Sequence, residues 1–375
     1  MRVVQIIKAK GMAGAERHLL DLMLGLRAAG VEQALLLIAE PNHTADSVEQ
    51  AFSAQGFSVE RVLINRHFDP PLVWRLQQAL RRHHPDVAHT HLMHADVHGI
   101  PAARLAGVRL VVSSRHDDDP VRATQPLRAG YAVLWRLSHA GIAISEAVRR
   151  FCITMEGAPP DKAHTIYYGL PLPIPHYDQA AARAALLTEI DASPETLLIG
   201  MVCRLMDAKG IPDALTAFAQ VLPDYPTARL VIAGDGPLRA ALTAQIASLG
   251  LTGRAHLLGW RDDPLPTVVA ALDLLLMPSV REGFGLTLLE AMSQAVPIIA
   301  STASALPEIV LHGETGLTVP PRDPHALAAA IRTMLADAGL RARYGVAGQQ
   351  RLNTHFSAAQ MVDQTLALYH TLAKK

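Results

Sequence analysis

The chain has 375 residues and a mass of 40.3 kDa, about two to two and a half domains at roughly 150 residues each. Half of the residues are apolar, 18% are charged, and 34 Lys+Arg balance 34 Asp+Glu, which excludes a disordered chain and a strongly basic nucleic-acid binder. No stretch offers the roughly 18 apolar residues of a membrane-spanning helix, and two cysteines, Cys152 and Cys203, are too few for a disulfide framework and lack metal-ligand spacing, so a reducing, cytoplasmic setting is expected.

The N-terminal apolar run stops after five residues at Lys8, too short for the core of a signal peptide, and reads as a first strand, Val3 to Ile7. Short aliphatic runs follow at Gln33 to Ile38, Val87 to His91, Leu110 to Ser114, Gly141 to Ile144 and Ala163 to Tyr167, each read as a buried parallel strand. Between them, stretches such as Glu16 to Ala29 and Leu72 to His83 carry helical spacing and supply the crossovers. Tyr168 to Pro194, with Pro171, Pro173 and Pro175 and then a short helical run, is read as the linker region. The pattern repeats at Leu197 to Val202, Ala228 to Ala233, Ala255 to Leu258, Leu274 to Met277, Pro297 to Ala300 and Gly316 to Val319. The expected architecture is therefore α/β, with two doubly wound domains at 1–172 and 195–357, a linker at 173–194 and a closing helix at 358–375.

Residues up to Leu172 hold 19 Lys+Arg against 16 Asp+Glu, and the remainder 15 against 18. That small basic excess permits peripheral contact of the first half with an anionic membrane surface and also fits a chance division of surface charge.

Of three glycine-containing strand-to-helix turns, two stand out as places for an anion, because free amides and the helix dipole meet there. Gly11-Met12-Ala13-Gly14-Ala15-Glu16-Arg17 follows the first strand but lacks a glycine of the dinucleotide fingerprint, which disfavours a nicotinamide oxidoreductase. In Cys203-Arg204-Leu205-Met206-Asp207-Ala208-Lys209-Gly210, a planar guanidinium and a compact ammonium five residues apart suit two phosphates, or are solvated surface cations. Gly234-Asp235-Gly236-Pro237 is ordinary turn chemistry.

The most informative segment runs from Pro278 to Met292. Glu282 stands in a loop after a buried strand, Gly283-Phe284-Gly285 allows the backbone to approach a ligand, and Glu290 lies inside the apolar helix that follows. An ionised carboxylate in such a helix requires donors, which a ribose diol would supply.

On these motifs the sequence resembles the retaining, nucleotide-sugar-dependent glycosyltransferases of the GT-B fold, glycosyltransferase family 4. The likeness rests on Glu282 and Glu290, Arg204 to Gly210, Gly14 to Arg17, Gly234 to Pro237 and Gly259-Trp260 in that family's pattern. It implies two Rossmann-like domains facing across a cleft, a nucleotide-sugar donor held by the second, and a saccharide or glycolipid acceptor. It implies that Arg204 and Lys209 bind the diphosphate, Glu290 the ribose, and Glu282 with the amides of Phe284 and Gly285 the transferred sugar, with Gly283 and Leu286 also part of the donor site. The turn at Gly14 would close over the phosphates and the last helix would cross back to the first domain. The family also places a histidine at a first-domain strand end, for which His116 is the candidate, with His89 and His91 as competitors. Cys203 replaces the family's usual glycine. No metal is expected, and Asp117-Asp118-Asp119 is read as a solvated loop. The implied setting is surface polysaccharide or lipopolysaccharide assembly at the cytoplasmic face of a membrane. A nucleotide-sugar epimerase, a glycoside hydrolase using the two glutamates, and a non-catalytic nucleotide-sugar-binding scaffold remain as alternatives.

Overall fold

The computed structural model describes residues 1–43, 45–66, 68–173, 177–261 and 265–374. They form two compact units, Met1–Pro171 with Ser357–Lys375, and Leu172–Phe356.

In the first unit seven parallel strands run in the order β3-β2-β1-β4-β5-β6-β7. They are β1 (Arg2–Lys8), β2 (Glu32–Ala39), β3 (Ser58–Leu63), β4 (Val87–His91), β5 (Leu110–Arg115), β6 (Ala140–Ala143) and β7 (Ala163–Thr165). Strand alternation sends Val4, Ile6, Leu36, Ile38, Ala88 and Val111 into one apolar layer, beneath helices Pro70–His83 and Leu92–Ala106. Val3, Val87, Leu110 and Val112 point the other way and meet Met361, Val362 and Tyr369 of helix Ala358–Ala373. That helix opens on a Ser357 hydroxyl that accepts from Gln360 N at 3.2 Å, and it packs on helix Gly14–Ala28 so closely that a Cβ on Gly25 would lie 2.3 Å from Val362 Cγ2.

Strand β3 was not among the expected strands. It is an edge strand with one fully buried residue, Val62, and its charged residues Glu60 and Arg61 pair with Arg82, His83, Asp46 and Glu49, so it carries no continuous apolar run.

The second unit has six parallel strands in the order β10-β9-β8-β11-β12-β13. They are β8 (Leu198–Val202), β9 (Arg229–Ala233), β10 (Ala255–Gly259), β11 (Leu274–Met277), β12 (Ile298–Ser301) and β13 (Leu317–Val319). Its core joins Ile199, Met201, Leu230, Ile232, Leu274 and Leu276 to helices Ile211–Val221 and Pro324–Ala336. Helix Gln179–Glu189 belongs to this unit through Arg183, which donates to Asp273 at 2.9 Å and to the Thr196 carbonyl. No helix among the described residues is long and apolar enough to cross a membrane.

Candidate active site

In a doubly wound sheet, ligands gather beyond the strand C-termini where the winding reverses. In the second unit that point lies between β8 and β11, and the loops leaving them carry the sequence-predicted residues.

Both loops are set by main-chain contacts that only glycine permits. Gly210 has φ +66°, and a Cβ there would sit 2.1 Å from the Pro278 carbonyl oxygen. Val280 N donates to Ala208 O at 2.8 Å across the same junction. A Cβ on Gly234 would lie 2.0 Å from the Cys203 carbonyl, while Leu205 N donates to Asp235 O at 3.0 Å. The loops after β8, β9 and β11 are therefore locked backbone to backbone.

This lock places Lys209 Nζ 2.5 Å from Glu282 Oε2, with Ser279 Oγ 3.4 Å from the same oxygen. The two charged side chains are 22% and 14% exposed, shielded enough for the pair to hold its geometry yet open to a ligand. Arg204 stands exposed; its carbonyl accepts from Met206 N at 2.9 Å, while its guanidinium has no hydrogen bond or ion pair among the described residues. Burial pushes the neighbouring Cys203 thiol up to about 12, so it is a packing group rather than a nucleophile.

Gly285, at φ +93°, ends the second loop and opens helix Leu286–Ser293. Phe284 turns its ring inward onto Phe356, centroids 5.8 Å apart at 81°, leaving its backbone as the part a ligand could meet. Gly283 and Glu290 are buried, and Leu286 is half-buried at the first position of the helix.

The first unit has its reversal between β1 and β4. His91 ends β4 there and His116 follows the next strand, β5; the structure brings His116 together with both of its competitors and with residues that the sequence does not single out. His116 Nε2 is 3.1 Å from His91 Nδ1, its Nδ1 meets the Tyr168 hydroxyl, and His18 stacks on Tyr168 at 3.9 Å. His91 Nε2 is 2.8 Å from Gln5 Oε1. His89 Nδ1 is 2.6 Å from the Tyr369 hydroxyl and its Nε2 is 2.8 Å from Ser114 Oγ. Burial holds these imidazoles neutral, lowering His89 to about 3 and His116 to about 4, and His18 and His91 well below the usual range. The missed signal was alternation: Gln5, His89, His91 and Ser114 are polar residues on one face of otherwise apolar strands.

On the opposite face Arg115 donates to Asp96 at 2.8 Å and to Glu156 at 3.1 Å, and Arg122 donates to Glu156 at 2.6 Å and also to Asp117. Asp119 accepts from Val121 N at 3.1 Å. The aspartate run is thus tied down by Arg122 and by a turn. Gly14 is exposed at the start of its helix, where the Glu16 carboxylate accepts from Ala13 N at 3.1 Å.

Comparison with known proteins divides the chain in the same two parts. Residues 12–172 match the family model described as Glycosyltransferase Family 4, and residues 187–351 match Glycosyl transferases group 1. The chain belongs to the family 4, group 1 glycosyltransferases. It is an enzyme of that class, with the two α/β units of a GT-B fold. It is 28% identical over 310 residues to the alpha-maltose-1-phosphate synthase of Mycolicibacterium smegmatis, spanning 76% of this chain and 79% of that one. It is 33% identical over 189 residues to the lipopolysaccharide core biosynthesis glycosyltransferase LpsE of Rhizobium meliloti, spanning 50% and 53%. The crystal structure of Anabaena HepE in complex with UDP-glucose shares the fold, with a TM-score of 0.86 at 23% identity over 99% of this chain and 100% of that one.

Proposed function

We propose that this glycosyltransferase moves a sugar, with retention of anomeric configuration, from a nucleoside-diphosphate sugar to a hydroxyl of a saccharide or glycolipid, in surface polysaccharide or lipopolysaccharide assembly at the cytoplasmic face of a membrane. The observation that carries this reading is the Lys209–Glu282 contact at the β8/β11 reversal, beside an exposed Arg204. A cation pair and a carboxylate at one strand-end point suit a ligand with a diphosphate at one end and hydroxyls at the other. The relative that makes maltose 1-phosphate, the lipopolysaccharide relative and the UDP-glucose-bound neighbour support the donor and acceptor classes.

In this reading Arg204 and Lys209 bind the diphosphate, and Glu290 binds the ribose hydroxyls. Glu282, with the amides of Phe284 and Gly285, orients the sugar, and Gly283 and Leu286 complete the donor site. The bond between the anomeric carbon and the phosphate oxygen breaks, the acceptor oxygen bonds to that carbon from the same face, and the acceptor proton passes to a phosphate oxygen. Catalysis is mainly electrostatic, through fixed charges and amides that stabilise the departing diphosphate, and activity is expected to survive a chelator. His116 is the first unit's candidate for meeting the acceptor.

The test is product analysis with UDP-, GDP- and ADP-hexoses and a panel of saccharide and glycolipid acceptors, reading nucleoside diphosphate release and the anomeric configuration by proton NMR. Acceptor-dependent release with retained configuration supports the reading. Donor conversion without acceptor would make the protein an epimerase, and binding without turnover a scaffold.

A further inference from the structure

Gln33, Gln5, His91, His116 and Tyr168 form a chain of hydrogen bonds whose direction can be worked out from one end. Gln33 Nε2 is 2.6 Å from the Met23 carbonyl, which can only accept, so the amide nitrogen of Gln33 is the donor and its Oε1 faces Gln5. Gln5 Nε2 donates to that oxygen at 3.4 Å. Gln5 therefore turns Oε1 to His91, and His91 Nε2 must carry the proton that it donates across 2.8 Å. A neutral His91 then has only a lone pair on Nδ1, so His116 donates from Nε2–H across 3.1 Å. The remaining lone pair of His116, on Nδ1, accepts from the Tyr168 hydroxyl.

The register supports the same chain. Gln5 lies opposite His89 on β4, Gln33 on β2 lies opposite Val3, two residues before Gln5 on the same face, and His91 lies opposite Ser114 on β5. The polar side chains form a belt across one sheet face between two apolar clusters, one holding Val3, Leu26 and Val112 and the other Ile7, Leu19 and Leu37. Gln5, His89 and His91 are fully buried, and a buried polar belt is tolerated only when its members are satisfied.

We propose that Gln5 and His91 are positioning residues that hold His116 as the neutral Nε2–H tautomer, with both ring nitrogens engaged by the protein. His116 then has no free lone pair with which to take the acceptor's proton, and it serves as a fixed, uncharged orienting group. This rests on the reading that His116 meets substrate, but the ring assignment itself does not.

The experiment is ring nitrogen–proton correlation NMR of the full chain at pH 7, with His116 assigned by loss of its signals in His116→Gln. Both His91 and His116 are expected to be neutral and protonated on Nε2. A proton on Nδ1 of either ring, or an imidazolium, overturns the proposal. Gln5→Leu removes the acceptor for His91 and is expected to scramble both tautomers and lower kcat by about tenfold or more while leaving the donor KM within about twofold. Gln5→Glu restores an acceptor and the Nε2–H forms. Scrambled tautomers with unchanged kcat would overturn the positioning role. Absence of any sugar transfer by the unaltered chain would instead remove the proposed function and leave the ring assignment standing, so the two fail separately.

Discussion

Lys209 and Glu282 lie 73 positions apart in the chain and meet at 2.5 Å, Nζ to Oε2, across the loops that leave two adjacent strands. Their contact ties the cation proposed to bind phosphate to the carboxylate proposed, on the family resemblance, to bind the sugar. Either loss should therefore reach both ends of a donor. Glu282→Gln keeps size and shape but removes the charge that fixes Lys209. Transfer is expected to fall roughly 100-fold, with the thermal midpoint shifting by only a few degrees. Paired kinetics and thermal unfolding check this, and a loss of activity no larger than the loss of fold would contradict it.

The glycine lock between the loops makes a graded prediction. Gly253 has φ +71° and open space around it, so Gly253→Ala meets only backbone strain, about 1 kcal/mol. Gly210→Ala meets the same strain and also places a Cβ 2.1 Å from the Pro278 carbonyl. It should cost several-fold more in urea unfolding and should loosen the Lys209 loop, raising the donor KM. Equal costs at the two positions would show that the lock does not exist.

Helix Gly14–Ala28 offers a change of sign. An alanine in place of a helical glycine ordinarily stabilises by roughly 0.5–1 kcal/mol. At Gly25 the new methyl would collide with Val362 Cγ2, 2.3 Å away, so Gly25→Ala is expected to destabilise by about 1–3 kcal/mol. Adding Val362→Ala should recover part of that loss, a coupling read from a double-mutant cycle. Additive effects would mean that the last helix does not pack there.

Much of the fold was legible because buried parallel strands are apolar on both faces and announce themselves as runs such as Leu110 to Ser114. The edge strand Ser58–Leu63 was not, since its exposed face is charged. The strand, loop and helix that carry Glu282, Gly285 and Glu290 were legible because they follow one another locally. The polar belt was not: His89 and Tyr369 stand 280 positions apart, and nothing local in either shows that they will share a hydrogen bond. Nor does the spacing of Arg204 and Lys209 show that Lys209 is held by Glu282 while Arg204 is left exposed.

The buried imidazoles also set a pH dependence. Desolvation lowers His89 to about 3 and His116 to about 4, whereas in the unfolded chain each titrates near 6.5. Between pH 6.5 and 4 the unfolded state therefore binds more protons at these sites, and their stabilisation, complete above about pH 6.5, is lost as pH falls. Asp21 and Asp96, raised to about 6 by burial, act in the opposite sense, since their contribution is lost as pH rises through 6. His18 and His91 are also held well below the usual range, which makes four buried histidines against the two aspartates, so urea midpoints should fall from pH 6.5 to 5. His89→Gln should flatten that slope by up to about 1.4 kcal/mol per pH unit. A slope unaltered by His89→Gln would show that His89 is not held neutral.

In the proposed function the second unit binds a nucleoside-diphosphate sugar through Arg204, Lys209 and the two glutamates. The most direct measurement is the thermal midpoint against UDP-, GDP- and ADP-sugars, with and without a chelator, for the unaltered chain and for Arg204→Ala. A ligand at ~100 times its Kd adds about 2.7 kcal/mol to the folded state. A rise of several degrees with one nucleotide class, unchanged by the chelator and abolished by Arg204→Ala, is the predicted result. A midpoint that no nucleotide sugar moves, or a rise that Arg204→Ala leaves intact, would contradict it.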